Sequence, residues 1–553
     1  MGSAYIISSN EDYQYLISRQ IDNEEIYACS YILFHKLKKN GIRYLFNQTK
    51  IEISSEMMDF LAHNWYREKG KDIFYRDSFS FAPVITRTVL SSFSNDVIKF
   101  CNLKELSKDF DSLYLPKKIK NSFTRILNYL DISCSHYESG DSNILSDYKC
   151  LQNRAQITKI SYKKTIFSSA LFLLDILMFK TKRNKILVWN ESSYRPGFLA
   201  RNDVLLSNDR NFLKGFFFPY IFKKKKKINN NIFDSFNFSV DSLTTKMINQ
   251  GFHWEKEFSE IFIKNVKEVY IASYRQIQRT KDSISKAFKI YKPRKIILPG
   301  EVYYEYCIAL QVAKQFNIES ILFLDGVQMV FEGSLMYKDF NGKKNLFDKY
   351  FVFSKENFNL LRNYHQIPKD SLLKVRSPFS NIEFKQKGLK YDAIILAIMP
   401  NQIYPQSSFD QRHKITYDLA KRLVDLGLKN IAIKIKQGIN ENLEIENYAN
   451  LIDENHKKDI RIITGKLSDF FGQSKIFISQ FSSAIIELVA NNEKVIIFNT
   501  HEIGLPNKAI ESCELIDDKN LFNCSKLIKD ISPVNPKNIH FYENDIANFN
   551  FDF

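Results

Sequence analysis

The sequence lacks the residue spacings that mark zinc sites and disulfide frameworks. Its seven cysteines are scattered without a Cys-x-x-Cys pair, and its nine histidines complete no zinc-type spacing. This pattern favours reduced thiols in a cytosolic protein. Zinc-finger, RNP and helix-turn-helix patterns are missing as well. We therefore expect no metal ion, no cofactor and no nucleic-acid partner.

Long apolar runs are also scarce. Residues 163–185 (KKTIFSSALFLLDILMFKTKRNK) hold a mostly apolar run between basic flanks. This run of about 14 residues is shorter than the roughly 20 that a membrane-spanning helix needs, so a buried core helix is the alternative to a surface-bound one. The first residues lack the basic-then-apolar pattern of a signal peptide. These patterns predict a cytoplasmic protein.

What the chain has in excess is positive charge. Lysine and arginine outnumber aspartate and glutamate by 79 to 62, a net charge of +17. Residues 215–227 (GFFFPYIFKKKKK) place aromatic side chains beside Lys223, Lys224, Lys225, Lys226 and Lys227. Aromatic and polybasic residues together are typical of segments that lie on anionic lipid. We expect peripheral attachment to the inner face of the cytoplasmic membrane, and a solvated loop is the alternative.

The pattern of strands and helices divides the chain into two large parts. Apolar residues make up 44% of the chain, enough for several packed cores. From residue 295 onward short apolar strands alternate with helices, which predicts parallel sheets with right-handed crossovers. We predict an N-terminal domain over 1–383, a C-terminal domain over 384–535 and a tail over 536–553 that crosses back. The first domain would have its core at 294–380 and helical, basic insertions around 100–290.

The first 150 residues show no chemical signature. They predict a helix at 27–40, ended by Gly41, and a strand at 42–46. The triplet Asp109-Phe110-Asp111 has the Asp-x-Asp form that holds a metal ion in some sugar transferases. Because a lysine-rich helical segment precedes it and no clear strand follows, we interpret it as a loop.

The most informative stretch is residues 473–498, QSKIFISQFSSAIIELVANNEKVIIF. It predicts a strand at 476–479, a polar turn at 480–483, a helix at 484–491 and a second strand at 494–498. Ser482 and Ser483 stand at the start of the helix. Hydroxyls and unpaired amide hydrogens at such a position can bind phosphate, and simple helix capping is the alternative.

This order of elements resembles the GT-B glycosyltransferase architecture, in which two Rossmann-like, doubly wound domains face a cleft. Residues 467–498 are similar to the donor segment of bacterial enzymes that use cytidine-activated donors. These are sialyltransferases, Kdo transferases and, more distantly, polyol-phosphate polymerases. The sialyltransferase-like groups carry an acidic-Gly motif, a His-Pro motif and a Ser-Ser motif. The resemblance covers about 294–532 and implies a metal-independent transferase.

The resemblance assigns roles to several residues. Leu324-Asp325-Gly326 matches the acidic-Gly motif, although its first acidic position is leucine. Asp325 would be the base or nucleophile, and Gly326 would let the backbone approach the donor. Ser482 and Ser483 match the Ser-Ser motif and would bind the CMP phosphate. Glu487, one helical turn further on, would accept hydrogen bonds from the ribose hydroxyls; an ordinary surface position is the alternative.

The His-Pro motif is absent. Lys436 stands at its place, and a lysine there can stabilise the leaving phosphate as a cation but without the proton chemistry of imidazole. Lys434 is the alternative, since both lysines lie at the end of one predicted strand. The remaining predicted donor contacts are Gln437 and Gly438 next to this strand, and Asn401 and Gln402 in the loop after the first strand of the second domain.

Together these features predict a glycosyltransferase. It would move an ulosonic acid, of Kdo or sialic-acid type, from a CMP donor onto a bacterial surface polysaccharide or a lipid-linked glycan. Two alternatives stay open at this level. One is a CDP-polyol phosphotransferase of the same fold, and the other is a non-catalytic glycan-assembly protein.

Overall fold

The fold is seen in a computed structural model that describes part of the chain. It describes residues 2–46, 55–68, 71–76, 78–119, 123, 126–127, 129–130, 132–138, 186–189, 204–207, 239–298, 304–323, 347–353, 355–364, 366–376, 388–397, 411–436, 441–479, 484, 487–488, 491, 493–498 and 514–516. Within these ranges three parallel sheets follow one another along the chain, together with two short antiparallel hairpins.

The first sheet is built from the first 138 residues. In chain order the elements are β1 (Gly2–Ile7), α1 (Asn10–Ser18), β2 (Ile26–Ala28), α2 (Tyr31–Leu37), β3 (Arg43–Tyr44), α3 (Ser55–Asn64), the hairpin strands β4 (Arg67–Glu68), β5 (Lys71–Asp72), β6 (Tyr75–Arg76) and β7 (Phe79–Ser80), α4 (Ala82–Leu106), β8 (Phe110–Pro116) and β9 (Ser133–Tyr137). The strand order is β3-β2-β1-β8-β9, and all four pairings are parallel.

Two predictions for this region were wrong. The predicted helix at 27–40 begins as strand β2, and only α2 and a short 3-10 turn (Lys38–Asn40) are helical. Tyr27 pairs with both β1 and β3, so sheet pairing overrides the helical periodicity. The Asp-x-Asp triplet is not a loop throughout, because Phe110 and Asp111 open β8. Leu113 and Leu115 alternate into the core along that strand.

The middle sheet contains six parallel strands. Its elements are β10 (Ile186–Trp189), β11 (Val204–Ser207), α5 (Val240–Asn249), α6 (Lys256–Tyr291), β12 (Lys295–Leu298), α7 (Tyr304–Gln315), β13 (Glu319–Phe323), β14 (Lys349–Val352), α8 (Lys355–Asn359), which continues as a π turn (Leu360–Tyr364), and β15 (Leu372–Lys374). The order is β11-β10-β12-β13-β14-β15. The predicted helix pair at 241–289 is present as α5 and α6.

The C-terminal sheet also has six parallel strands. Its elements are β16 (Tyr391–Leu396), α9 (Gln411–Asp425), β17 (Ile431–Lys434), α10 (Glu441–Leu451), β18 (Ile460–Ile463), a 3-10 turn (Leu467–Phe470), β19 (Ser474–Ser479), β20 (Val495–Phe498) and β21 (Glu514–Ile516). The order β18-β17-β16-β19-β20-β21 is that of a doubly wound nucleotide-binding fold. The predicted α/β fold class, with two consecutive doubly wound sheets of GT-B type, is confirmed.

The first sheet packs on the helices of the C-terminal sheet through α2. The Asp453 carboxylate accepts one hydrogen bond from His35 Nε2 at 3.2 Å and another from the Tyr417 hydroxyl at 3.0 Å. Lys38 Nζ donates to His35 Nδ1 at 3.2 Å. Burial and the charge of Lys38 lower the pKa of His35 despite Asp453, so the imidazole is neutral at pH 7. Residues 418 positions apart in sequence thereby join two sheets.

In the described part of the chain, no helix combines the length and the apolar character that crossing a bilayer requires.

Candidate functional site

The C-terminal sheet reverses its strand order around β16. The chain places β17 on one side of β16 and β19 on the other, and both pairings are parallel. In open parallel sheets the crevice beyond the carboxyl ends of the strands, at such a reversal, is where ligands bind. The side chains at the carboxyl ends of β16, β17 and β19 are therefore the candidate ligand-binding residues.

Strand β17 brings a lysine to this edge. Its sequence Ile-Ala-Ile-Lys alternates between the two faces of the sheet. Ile431 and Ile433 belong to the main core cluster, whereas Ala432 packs with Phe477 and Leu488 on the other face. Lys434 follows Ala432 by two positions and lies on that second face at the end of the strand. Only 8% of Lys434 is exposed, so the side chain is largely removed from solvent.

The Lys434 ammonium has few direct partners among the described residues. Nζ donates to the Ile435 carbonyl at 3.3 Å and lies 5.8 Å from the centre of the Phe470 ring. Burial lowers the pKa of Lys434, and Glu487, followed by Asp469 and Glu441, acts in the opposite direction. A buried cation that has no close ion pair among the described residues can accept an anionic ligand group.

Glu487 lies near this lysine, on the helical segment that follows β19. Burial raises the pKa of Glu487, and the charge of Lys434 partly offsets the effect. Within the described residues no ion pair of 4.0 Å or less joins the two side chains, although each influences the other's charge. A cation and a carboxylate are thus held at the crevice, close but not in contact. This arrangement can bind a phosphate at one end and hydroxyl groups at the other.

The structure describes three of the predicted site residues. Lys434 and Glu487 come together at the crevice, and Lys436 lies two residues beyond β17 and is exposed. The other predicted residues lie outside the described part of the chain and stay predictions: Asp325, Gly326, Asn401, Gln402, Gln437, Gly438, Ser482, Ser483 and Lys223 to Lys227.

A buried histidine that was not predicted from the sequence lies at the same edge of the sheet. His413, on the first turn of α9, contacts Glu444 on the first turn of α10, with Nε2 and Oε2 3.1 Å apart. The His413 ring meets Tyr448 edge-on at 4.9 Å and is fully buried. The available signal was the spacing of His413, Thr416, Tyr417 and Ala420, which form one buried stripe of α9.

A carboxylate that was not predicted from the sequence lies beside the middle sheet. The strand order there reverses between β10 and β12, and α7 begins shortly after β12. Glu305 on its first turn accepts a hydrogen bond from the Tyr304 hydroxyl, which also contacts Gln276 of α6. Burial raises the pKa of Glu305. An acidic group therefore lies at this reversal as well.

No group of three or more histidine, cysteine, aspartate or glutamate side chains lies close enough to hold a metal ion among the described residues. Among the described residues at the C-terminal crevice, the charged side chains include Lys434 and the carboxylates that act on it.

Protein-family models and curated proteins give no match to the chain. Solved structures with a similar arrangement include MnaA of S. aureus with UDP, 11% identical over 66% of this chain and 94% of that one, with a TM-score of 0.39. The wall teichoic acid polymerase TagF is 13% identical over 45% and 75%, at 0.26. The lipopolysaccharide outer core galactosyltransferase WaaB is 10% identical over 50% and 78%, at 0.31. The fold assignment rests on the strand order of this chain itself.

Proposed function

We propose that the protein is a nucleotide-sugar-dependent glycosyltransferase whose donor site is the crevice at the carboxyl end of the C-terminal sheet. The observation that carries this proposal is the position of Lys434. A buried ammonium group, at the reversal point of a nucleotide-binding strand order, needs an anionic partner. The donor phosphate would supply it.

The proposed donor is a CMP-linked ulosonic acid of Kdo or sialic-acid type. Its single phosphate matches one buried lysine, with Lys436 as a second, exposed cation beside it. Ser482 and Ser483 would add hydroxyl and amide donors to the same phosphate. Glu487 would accept hydrogen bonds from the ribose. The proposal also includes contacts with the donor from Asn401, Gln402, Gln437 and Gly438.

The proposed reaction needs one base and one stabilised leaving group. Asp325 takes the proton of an acceptor hydroxyl, whose oxygen forms a bond to the anomeric carbon of the donor. The bond from that carbon to the phosphate oxygen breaks, and CMP leaves with the electron pair. Lys434 and Lys436 stabilise the phosphate charge that develops. In a double displacement Asp325 would instead attack the anomeric carbon first.

Calorimetry tests the site directly. The full chain should bind CMP, and Lys434→Met should weaken binding about tenfold or more because a charged hydrogen bond is lost. Lys458→Met is the matched control, since Lys458 is exposed and precedes β18 at the opposite edge of the sheet. Failure of CMP, CDP and UDP to bind would exclude a donor site and favour an assembly protein without catalysis.

Product analysis tests the reaction. Purified protein should release CMP from CMP-Kdo or CMP-sialic acid when a polysaccharide or lipid-linked acceptor is present. Asp325→Ala should abolish release while CMP still binds, and undiminished turnover would refute the assigned role. A product that gains a phosphate-containing unit from a CDP-polyol would identify the phosphotransferase instead.

We also propose that the protein works at the inner face of the cytoplasmic membrane. The charge of +17 and the segment with Lys223 to Lys227 support attraction to anionic lipid. Serine in place of all five lysines should weaken binding to vesicles that contain phosphatidylglycerol. Unchanged binding would place the attachment elsewhere.

A further inference from the structure

The pair His413–Glu444 joins two helices at the edge where the donor site is proposed. Helix α9 follows β16 and helix α10 follows β17, so both begin at the carboxyl edge of the C-terminal sheet. His413 is the third residue of α9, and Glu444 is the fourth residue of α10. Their 3.1 Å contact therefore ties together the two first turns that flank the crevice.

The pair is enclosed rather than solvated. The His413 side chain is fully buried, and that of Glu444 is 13% exposed. A buried hydrogen bond to a carboxylate is strong and directional, so it restricts how far the two helix starts can separate. Because each group is already engaged by the other inside the fold, a positioning role fits the pair.

The first turn of α10 also reaches the lysine of the crevice. Glu441 opens this turn, and its charge acts on Lys434 together with those of Glu487 and Asp469. Glu444 lies three residues further along the same turn. A shift of this turn would therefore change both the place of Glu441 and the charge environment of Lys434.

We propose that His413 and Glu444 are positioning residues that fix the first turns of α9 and α10 and thereby hold the Lys434 anion site in its binding geometry. This inference rests on the proposed donor site and adds the residues that preorganise it. The His413–Glu444 contact fixes the first turn of α10, and Glu441 on that turn acts on Lys434 through its charge.

The test compares two substitutions of His413 in the full chain. His413→Leu removes the hydrogen bond to Glu444, whereas His413→Gln keeps a side-chain N–H that can donate to it. We expect His413→Leu to weaken CMP binding about tenfold in calorimetry, and His413→Gln to stay within about twofold of the wild type. Lys414→Met is the control, because Lys414 is on the same turn but pairs with Asp418 at 2.6 Å.

A second readout does not depend on nucleotide binding. Nuclear magnetic resonance of labelled lysine side chains, with Lys434→Arg for assignment, reports the titration of Lys434 without ligand. If Glu441 moves away, the pKa of Lys434 should fall further in His413→Leu but not in His413→Gln. Glu487 and Asp469, the other carboxylates that act on Lys434, are unchanged in both variants.

The outcomes separate the two proposals. If no nucleotide binds the wild type, the donor site fails, but the titration still decides the positioning role. If CMP binds and His413→Leu matches the wild type in affinity and in Lys434 titration, the positioning role is overturned. Should His413→Leu unfold, Glu444→Gln replaces it, since the glutamine oxygen still accepts from His413 and a milder shift in the same direction is expected.

Discussion

Two crevices of this molecule share a topology and differ in their charges. In the first sheet the strand order reverses around β1, and in the C-terminal sheet it reverses around β16. At the first reversal Lys118 Nζ lies 2.8 Å from the buried Asp12 carboxylate and donates to the Ser9 hydroxyl at 2.8 Å. At the second, Lys434 and Glu487 are near each other without an ion pair among the described residues.

The difference separates a crevice that the chain itself closes from the crevice proposed to bind a ligand. The Asp12 carboxylate also accepts the Ser8 amide and hydroxyl at 2.7 Å each, so the first crevice is closed by groups of the chain itself. A satisfied buried pair stabilises a fold and has no need of another partner. Lys434 in the C-terminal crevice has no close ion pair among the described residues, and a buried ammonium group of this kind can accept an anionic partner. The same topology thus serves structure in one sheet and the proposed binding in the other.

The largest expected effect tests the closed crevice. Lys118→Met leaves the fully buried Asp12 carboxylate without its cation. We expect the free energy of unfolding to fall by about 3–5 kcal/mol, as is typical when one member of a buried pair is removed. Urea denaturation followed by circular dichroism measures it. Lys104→Met, which breaks a half-exposed pair with Glu255, should change stability by less than about 1 kcal/mol. Equal losses in both variants would contradict the contrast.

A second prediction concerns a buried carboxylate at the amino edge of the C-terminal sheet. Glu493 is 5% exposed and accepts a hydrogen bond from the Gly472 amide at 2.5 Å. Burial, only partly offset by that bond, raises the pKa of Glu493 from 4.5 to about 7. Its contribution to stability is therefore present below pH 4.5 and is lost as the pH rises through 7.

Glu493→Gln keeps the acceptor oxygen but cannot ionise. The variant should be more stable than the wild type by up to about 3 kcal/mol at pH 8 and by roughly 1 kcal/mol at pH 5. Denaturation at the two pH values measures the difference. Glu454→Gln, at an exposed position, is the control and should show no such trend. A pH-independent difference would show that Glu493 ionises normally in the fold.

The third prediction tests the open crevice for stability rather than for binding. Lys434→Met removes a buried ammonium that has no close ion pair among the described residues, so the fold should lose little and can gain up to about 1 kcal/mol. The same substitution should weaken the free energy of CMP binding by about 2 kcal/mol. Denaturation and calorimetry on one preparation give both values. A loss of stability as large as that of Lys118→Met would show that the two crevices are alike.

The smallest effect concerns the contact between the first and the C-terminal sheets. His35→Leu removes one donor to the partly exposed Asp453 and should cost about 1 kcal/mol at pH 7.5. Because the pKa of His35 is lowered, the wild type loses stability as the pH falls from 6.5 through that lowered value. Denaturation at pH 7.5 and 5.5 should show this loss in the wild type and not in His35→Leu. His253→Leu, at an exposed histidine, should change neither value.

The sequence predicted the regular parts of the molecule well, for a physical reason. Strands buried on both faces, such as β13 and β17, are short continuous apolar runs that helices separate. In the first sheet, the strand predicted at 42–46 is present as β3, whereas β2 was missed because it has only three residues. Strands this short leave no periodicity, and their neighbours decide the structure.

The candidate site could be predicted only in part. The sequence predicted that Lys434, the alternative to Lys436, lies at a strand end, and the structure has it as the last residue of β17; its role stays a prediction. The His413–Glu444 contact was missed because its members are 31 residues apart on two helices, and only the packing of α9 against α10 brings them together. Local patterns carry no information about such a pair.

The contact of His35 with Asp453 has a consequence for how the chain is made. During synthesis, His35 of α2 emerges 418 residues before its partner Asp453. At about 5–20 residues per second the ribosome needs roughly 20–80 s to supply it. Throughout that interval the nascent first sheet exposes the side of α2 that α9 and α10 later cover. A chaperone that shields this side would have to act until both partner helices and Asp453 have emerged.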